Sequence, residues 1–196
     1  MLHLVKKELK TALLLFLCLT LLTGIIYPLV VTGIAQFFFP SQANGSLLIQ
    51  NNKIIGSLLI GQSFTDPSYF WGRPSATNPF PYNGGSSSGS NLGPSNPKLI
   101  GLWNERVLAY RQFDKASLIP VDLITASGSG LDAEISPAAA YFQISRIAKI
   151  RNLSEQSMQN LIHQYTINRT FGILGEPRVN VLQLNSALDA LGKKNG

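Results

Sequence analysis

From Thr11 to Phe39 the chain is almost continuously apolar, and no charged side chain appears until Lys53, a run of 42 residues. As a helix, Ala12 to Phe39 would span roughly 42 Å, against a hydrocarbon core of about 30 Å. The pattern predicts a transmembrane helix over 11–39, a short N-terminal segment over 1–10 and one domain over 40–196. Past the span the periodicity shortens. Gly45–Ile49 and Gly56–Ile60 share the same five residues on either side of Gln50 to Lys53, which predicts two short strands around an Asn-rich turn. The eleven-residue offset recurs only once, so it is not a solenoid period.

Between Thr65 and Pro97 the density of Pro and Gly excludes a helix. Phe64, Tyr69, Phe70, Trp71, Phe80 and Tyr82 in and beside that stretch predict an ordered loop that packs its rings. Leu99, Trp103, Val107 and Tyr110 then repeat at helical spacing, with Ser95 or Asn96 placed to cap. Leu118 to Ile124 reads as a strand. Ser136 and Pro137 open a helix with Ala140, Ile144, Ile147 and Ala148 as its buried stripe, and Arg146, Lys149 and Arg151 toward the end where the dipole favours them. Ser154 caps the next helix, with Met158, Leu161, Ile162 and Tyr165 inward. Val179 to Leu184 reads as a strand, and Asn185 as the cap of a last helix through Leu188 and Leu191. The class is α+β: one N-terminal transmembrane helix followed by a single extracytoplasmic α/β domain.

Charge sets the orientation. Lys6, Lys7 and Lys10 face a single Glu8 before the span, and the next basic residue after it is Lys53, so the N-terminus is expected in the cytoplasm and about 155 residues outside. A cleaved signal sequence shares the basic start, and Gly33–Ala35 has small residues at the right spacing. The apolar core is nevertheless about twice the usual 7 to 15 residues, which favours a retained anchor. Within the span, Pro28 leaves the carbonyl of Gly24 without its helical donor. That reads either as a tolerated kink or, with Thr20 and Gly24, as a close-packing face for another membrane protein.

The outer domain has 13 basic and 9 acidic residues, and Cys18 in the span is the only cysteine, so no disulfide framework exists. Scattered basic residues outside the cell argue against nucleic acid as a partner. Chemistry is sparse. The two histidines, His3 and His163, stand apart, and no His, Cys or carboxylate cluster has metal-ligand spacing. Gly85 to Gly89 matches the G-x-S-x-G pattern around Ser87, but in a Gly/Pro/Asn-rich loop rather than a strand-to-helix elbow. There is no Walker A sequence, and Asp114-Lys115 continues as Ala116-Ser117, unlike the phosphorylated sequence of P-type pumps. The most loaded segment is Pro120–Asp132, whose Ser127, Gly128, Ser129 and Gly130 read equally as an ion cradle or as a tight turn with positive φ at both glycines.

That segment, with Ile60–Phe64, Phe70–Ala76, Ser90–Pro94 and Val179–Asn185, resembles the C-subunit family of the Kdp potassium-transporting ATPases over essentially the whole chain. One departure is Ala133-Glu134, where family members usually carry proline and histidine. The resemblance implies a non-catalytic subunit of a high-affinity, ATP-driven potassium importer, described in the family as a catalytic chaperone that raises ATP affinity. Its expected partners are an ion-selecting channel-like subunit, a P-type ATP-hydrolysing subunit and a small membrane subunit, besides the lipid bilayer. No cofactor is expected on this chain; ATP and magnesium belong on the hydrolysing subunit and potassium on the channel-like one. Candidate interface or family-motif residues are Gly24, Pro28, Gln62, Arg73, Asn91, Asp122, Ser127, Gly128, Ser129 and Asn180. The alternative is a free-standing, membrane-anchored periplasmic binding module.

Overall fold

A computed structural model of the protein describes residues 2–115 and 117–194; the side chain of His3 lies outside those described. The chain divides into two compact units, Met1–Leu47 and Leu48–Gly196.

The first unit is dominated by one long helix. Helix α1 (Leu2–Leu21) runs through a π-helical turn at Leu22–Ile26 into α2 (Tyr27–Phe38), and α3 (Pro40–Ala43) follows. Val5–Phe38 is 34 residues long with mean hydropathy 2.5, enough by length and composition to cross a membrane. The π turn lies immediately before Pro28. A proline without an N–H cannot complete the usual ladder, and one wide turn takes up the mismatch. Thr20 and Thr23 hold their hydroxyls on their own helix, donating to Phe16 O at 2.8 Å and Leu19 O at 2.7 Å. The chain then turns back: the Asn44 and Gln36 amides exchange hydrogen bonds at 3.1 and 3.3 Å.

In the second unit, β1 (Leu47–Gln50) and β2 (Lys53–Ser57) form a two-stranded sheet. Asn51 and Asn52 connect them at φ 50° and 58°, the left-handed pair that asparagine tolerates. The second strand lies three residues earlier than the composition of Gly56–Ile60 suggests, because the two-asparagine turn sets where pairing begins. No helix interrupts residues 58–96. Asn96 caps α4 (Pro97–Arg111) by accepting from Lys98 N at 2.9 Å.

Leu118–Ile124 is not a strand. Pro120 interrupts it, Val121–Leu123 is a 3₁₀ turn, and only Leu123 is buried while Leu118 is 91% exposed. After β3 (Glu134–Ile135), Ser136 caps α5 (Pro137–Phe142), accepting from Ala139 N at 3.0 Å. The helix expected to run on breaks at Gln143 and resumes as α6 (Ile144–Arg151). Ser154 caps α7 (Glu155–Tyr165), then come β4 (Thr166–Ile167), β5 (Arg178–Asn180) and α8 (Val181–Lys194). The strand expected over Val179–Leu184 ends at Asn180. Val181, Leu184 and Leu188 follow helical spacing, and all are buried. Strand order is β3-β5-β4, antiparallel, with Glu134 opposite Asn180 and Thr166 opposite Val179.

Phe70, Leu123, Ile147, Met158, Ile162 and Leu188 form the centre of one hydrophobic core, with the expected stripes of α5, α6 and α7 turned inward. Phe70 and Trp71 belong to an irregular segment, so their buried backbone has no ladder. Asn185 supplies the missing partners at Phe70, accepting from its N–H at 2.9 Å and donating to its carbonyl at 3.0 Å. Gln143 does the same at Trp71, at 2.8 and 3.1 Å. Asn185 is thus a buried mid-helix clamp rather than a cap; the capping oxygen is Asn180 Oδ1, which accepts from Gln183 N at 3.1 Å. Arg146 is likewise not a dipole residue at a helix end. It is buried, stacks over Trp71 at 4.0 Å, and donates to Gln143 Oε1 and the Pro67 carbonyl. Burial pulls its pKa down to about 10, so it remains a cation at neutral pH.

Replacing Asn185 with leucine keeps the branching and heavy-atom count of the side chain but strands two buried backbone groups at Phe70. A loss of about 2 to 4 kcal/mol is expected, read from the unfolding midpoint by the fluorescence of Trp71 and Trp103.

Candidate functional site

The Pro/Gly/Ser-rich segments meet in one polar knot. Ser75 Oγ donates to Gly130 O at 2.7 Å and accepts from Tyr82 N at 2.9 Å, while Thr77 Oγ1 donates to Phe80 O at 2.7 Å and accepts from Asn83 N at 3.1 Å. Ser129 O accepts from Ser88 N and from Ser87 Oγ, both at 3.0 Å. Ser127 is buried and accepts from Gly130 N through its hydroxyl at 2.9 Å; its own N–H donates to Pro74 O. Ser129 Oγ takes the N–H of Leu131 at 3.1 Å.

Within Ser127–Gly130 the N–H groups of Ser127 and Gly130 and the carbonyls of Ser129 and Gly130 are engaged within the chain, as in a tight turn. Of the two glycines expected at positive φ, only Gly130 adopts it, at +68°. A Cβ there would sit 2.6 Å from Ser88 O and from Thr77 Cγ2, whereas Gly128 is open. Ser87, in the same knot, is in a loop and donates its hydroxyl to a carbonyl.

Arg73 joins this assembly through an ion pair with Asp132, Nη1 to Oδ2 at 3.0 Å, while its Nε is buried without a hydrogen-bond partner. Tyr82 donates its hydroxyl to the Arg73 carbonyl at 2.5 Å; burial pushes its pKa up to about 12, which keeps the proton in place. Beside it lies a cleft of about 330 Å³ lined by Phe64, Trp71, Tyr82 and Tyr110, with Arg73 and Arg106 as its cations. Arg106 donates to Ile124 O at 2.7 Å, so neither guanidinium is idle.

The remaining expected residues fall into separate places. Gln62 and Asn180 both fasten the chain around the β1–β2 hairpin, donating to Ile55 O at 3.1 Å and Leu58 O at 2.8 Å. Asp122 accepts from Ser136 N at 2.8 Å and so ties the 3₁₀ turn to the start of α5. Asn91 is exposed at φ 52°. Gly24 and Pro28 lie in and just after the π turn of the long helix, with open space around Gly24. Among the described residues no group of three or more His, Cys, Asp or Glu converges as a metal site.

One surface was not legible in the sequence. Between β4 and β5 the chain forms a small hairpin tip, closed by mutual backbone bonds between Thr170 and Leu174 at 2.9 and 3.0 Å and by Arg169 gripping both Glu176 oxygens at 2.9 and 2.7 Å. Phe171 and Ile173 stand 89% and 75% exposed on it. The only sequence signal is apolar residues between Gly172 and Gly175, where a buried strand looks the same.

The described residues thus comprise one candidate membrane-spanning helix followed by an α+β domain. The chain belongs to the family described as KdpC: K+-transporting ATPase, c chain, whose pattern matches residues 9–190. It is 58% identical to the potassium-transporting ATPase KdpC subunit of Methylococcus capsulatus over 184 residues, covering 93% of this chain and 97% of that one. With the KdpC subunits of Polaromonas naphthalenivorans and Dechloromonas aromatica it shares 55% and 52% identity, over 97% and 96% of its length and 98% and 100% of theirs.

The knot makes a paired prediction. Gly130→Ala is expected to cost about 2 to 4 kcal/mol from positive φ and overpacking, and Gly128→Ala less than about 0.5 kcal/mol, measured by chemical denaturation.

Proposed function

We propose that this chain is the non-catalytic subunit of an ATP-driven potassium uptake complex, with the long helix in the plasma membrane, the N-terminus in the cytoplasm and the α+β domain outside. The observation that carries this reading is identity of 52 to 58% to KdpC subunits over nearly the whole chain. Lys6, Lys7 and Lys10 before the span support the orientation.

In this reading the domain sits over the entrance of an ion-selecting, channel-like subunit. A P-type subunit binds ATP with magnesium, the channel-like subunit holds potassium, and a small membrane subunit completes the complex. An outside domain cannot touch a cytoplasmic nucleotide. Any rise in ATP affinity therefore comes through the membrane helices, as a linkage that favours one conformation of the pump. The Thr170–Leu174 tip suits partner docking: its backbone is fixed, its base charges neutralise each other, and its apolar side chains are left outward.

Tagged chain purified from its own membranes is expected to bring down stoichiometric amounts of a P-type ATPase and a large channel-like protein. Phe171→Asp combined with Ile173→Asp should reduce that recovery and slow potassium-limited growth while leaving the unfolding midpoint unchanged. Recovery of the chain without those two proteins, or normal potassium-limited growth after its removal, would reject the reading.

A further inference from the structure

The β1–β2 hairpin exposes more apolar surface than a two-stranded sheet in water sustains. Ile49 and Ile54 are 61% and 64% exposed, and Leu47, Ile55, Leu59 and Ile60 are exposed as well. A lone hairpin is marginal by itself and needs cover. This one is tied to the rest of its domain by Gln62, which donates to Ile55 O, and, just past β2, by Asn180, which donates to Leu58 O. Gly56 permits the close approach there, since a Cβ would strike the Gln62 amide and come within 3.1 Å of Leu182.

Two observations point to what covers the rest. The first is position along the chain. α3 folds back so that Asn44 exchanges hydrogen bonds with Gln36, two residues before the end of the long helix at Phe38, and Ser46 N donates to Ser41 O at 2.8 Å. Leu47, the first hairpin residue, thus follows Phe39 by only eight residues, through a segment bonded back to the end of the long helix. The second is charge. Residues 11–65 contain one charged side chain, Lys53, which stands exposed at the start of β2, and no carboxylate. Apolar residues with a lone cation suit the boundary between acyl chains and anionic headgroups.

We infer that the β1–β2 hairpin is a lipid-contacting element: it lies on the bilayer surface where the span ends, with its isoleucines in the headgroup boundary and Lys53 among phosphates. The inference rests on reading Val5–Phe38 as a membrane span.

The test uses the full chain with Cys18→Ser, which removes its only cysteine. Single cysteines are then placed at Ile49, Ile54, Leu19 in the helix and the exposed Gln159 of α7. Each is labelled with bimane and reconstituted in nanodiscs of phosphatidylethanolamine and phosphatidylglycerol. Labels at 49 and 54 are expected to be blue-shifted, quenched by brominated lipid and shielded from iodide, while the label at 159 responds to iodide alone. If 49 and 54 behave like 159 while 19 is quenched by brominated lipid, the hairpin inference fails and the span stands. A label at 19 quenched by iodide defeats both. Shielding at 54 that develops only when the other pump subunits are present identifies a protein cover and overturns the lipid assignment.

Discussion

Two buried amide side chains hold the α+β domain together. Residues 58–96 contain neither helix nor strand, yet they carry Phe70, the largest fully buried side chain of the core. Burying an irregular backbone is costly unless each N–H and C=O finds a partner. Asn185 from α8 and Gln143 from the break between α5 and α6 bracket consecutive residues and satisfy all four groups, so Phe70–Trp71 is held like a strand without a neighbouring strand. The break at Gln143 belongs to the same device, since that side chain meets both Trp71 and Arg146.

The arginines extend the clamp outward. Arg146 reaches the Pro67 carbonyl, and Arg151 donates to Ser68 O at 2.8 Å while pairing with Asp189 at 2.9 Å and lying 4.4 Å from the centre of the Tyr69 ring. A buried guanidinium with carbonyl and amide partners and an aromatic face avoids much of the desolvation cost that an unsatisfied charge would carry. Together these side chains fix residues 66–71 from three helices. The polar knot around Ser75 and Gly130 fixes the stretch after it.

What the sequence made legible were features encoded locally. The apolar span, the caps at Asn96, Ser136 and Ser154, and the inward stripes of α5 to α7 all follow from spacing within one turn or two. Several failures were decided by contacts distant in sequence. Leu118–Ile124 has strand-like composition but no strand beside it. Asn185 looks like a cap until Phe70, 115 residues away, arrives as its partner. Arg146 looks like a surface cation until Trp71 covers it. The ten candidate residues likewise scatter over the turn, the hairpin, the α5 junction and the membrane helix.

The ion pairs also change how the domain meets a partner. Composition gives an excess of basic residues, yet Arg73, Arg151, Arg169 and Arg178 each pair with a carboxylate of the same domain, and Arg146 is buried. Exposed ion pairs of this kind add little stability, but they do remove free charge from the surface. Each pair cancels one charge of either sign, so the excess of four basic residues over residues 40–196 is unchanged. Apolar side chains also stand outward, at the two small hairpins and at Leu108, Leu118 and Val121. Apolar surfaces on a subunit of a membrane complex suit contacts made by shape and burial rather than by long-range charge.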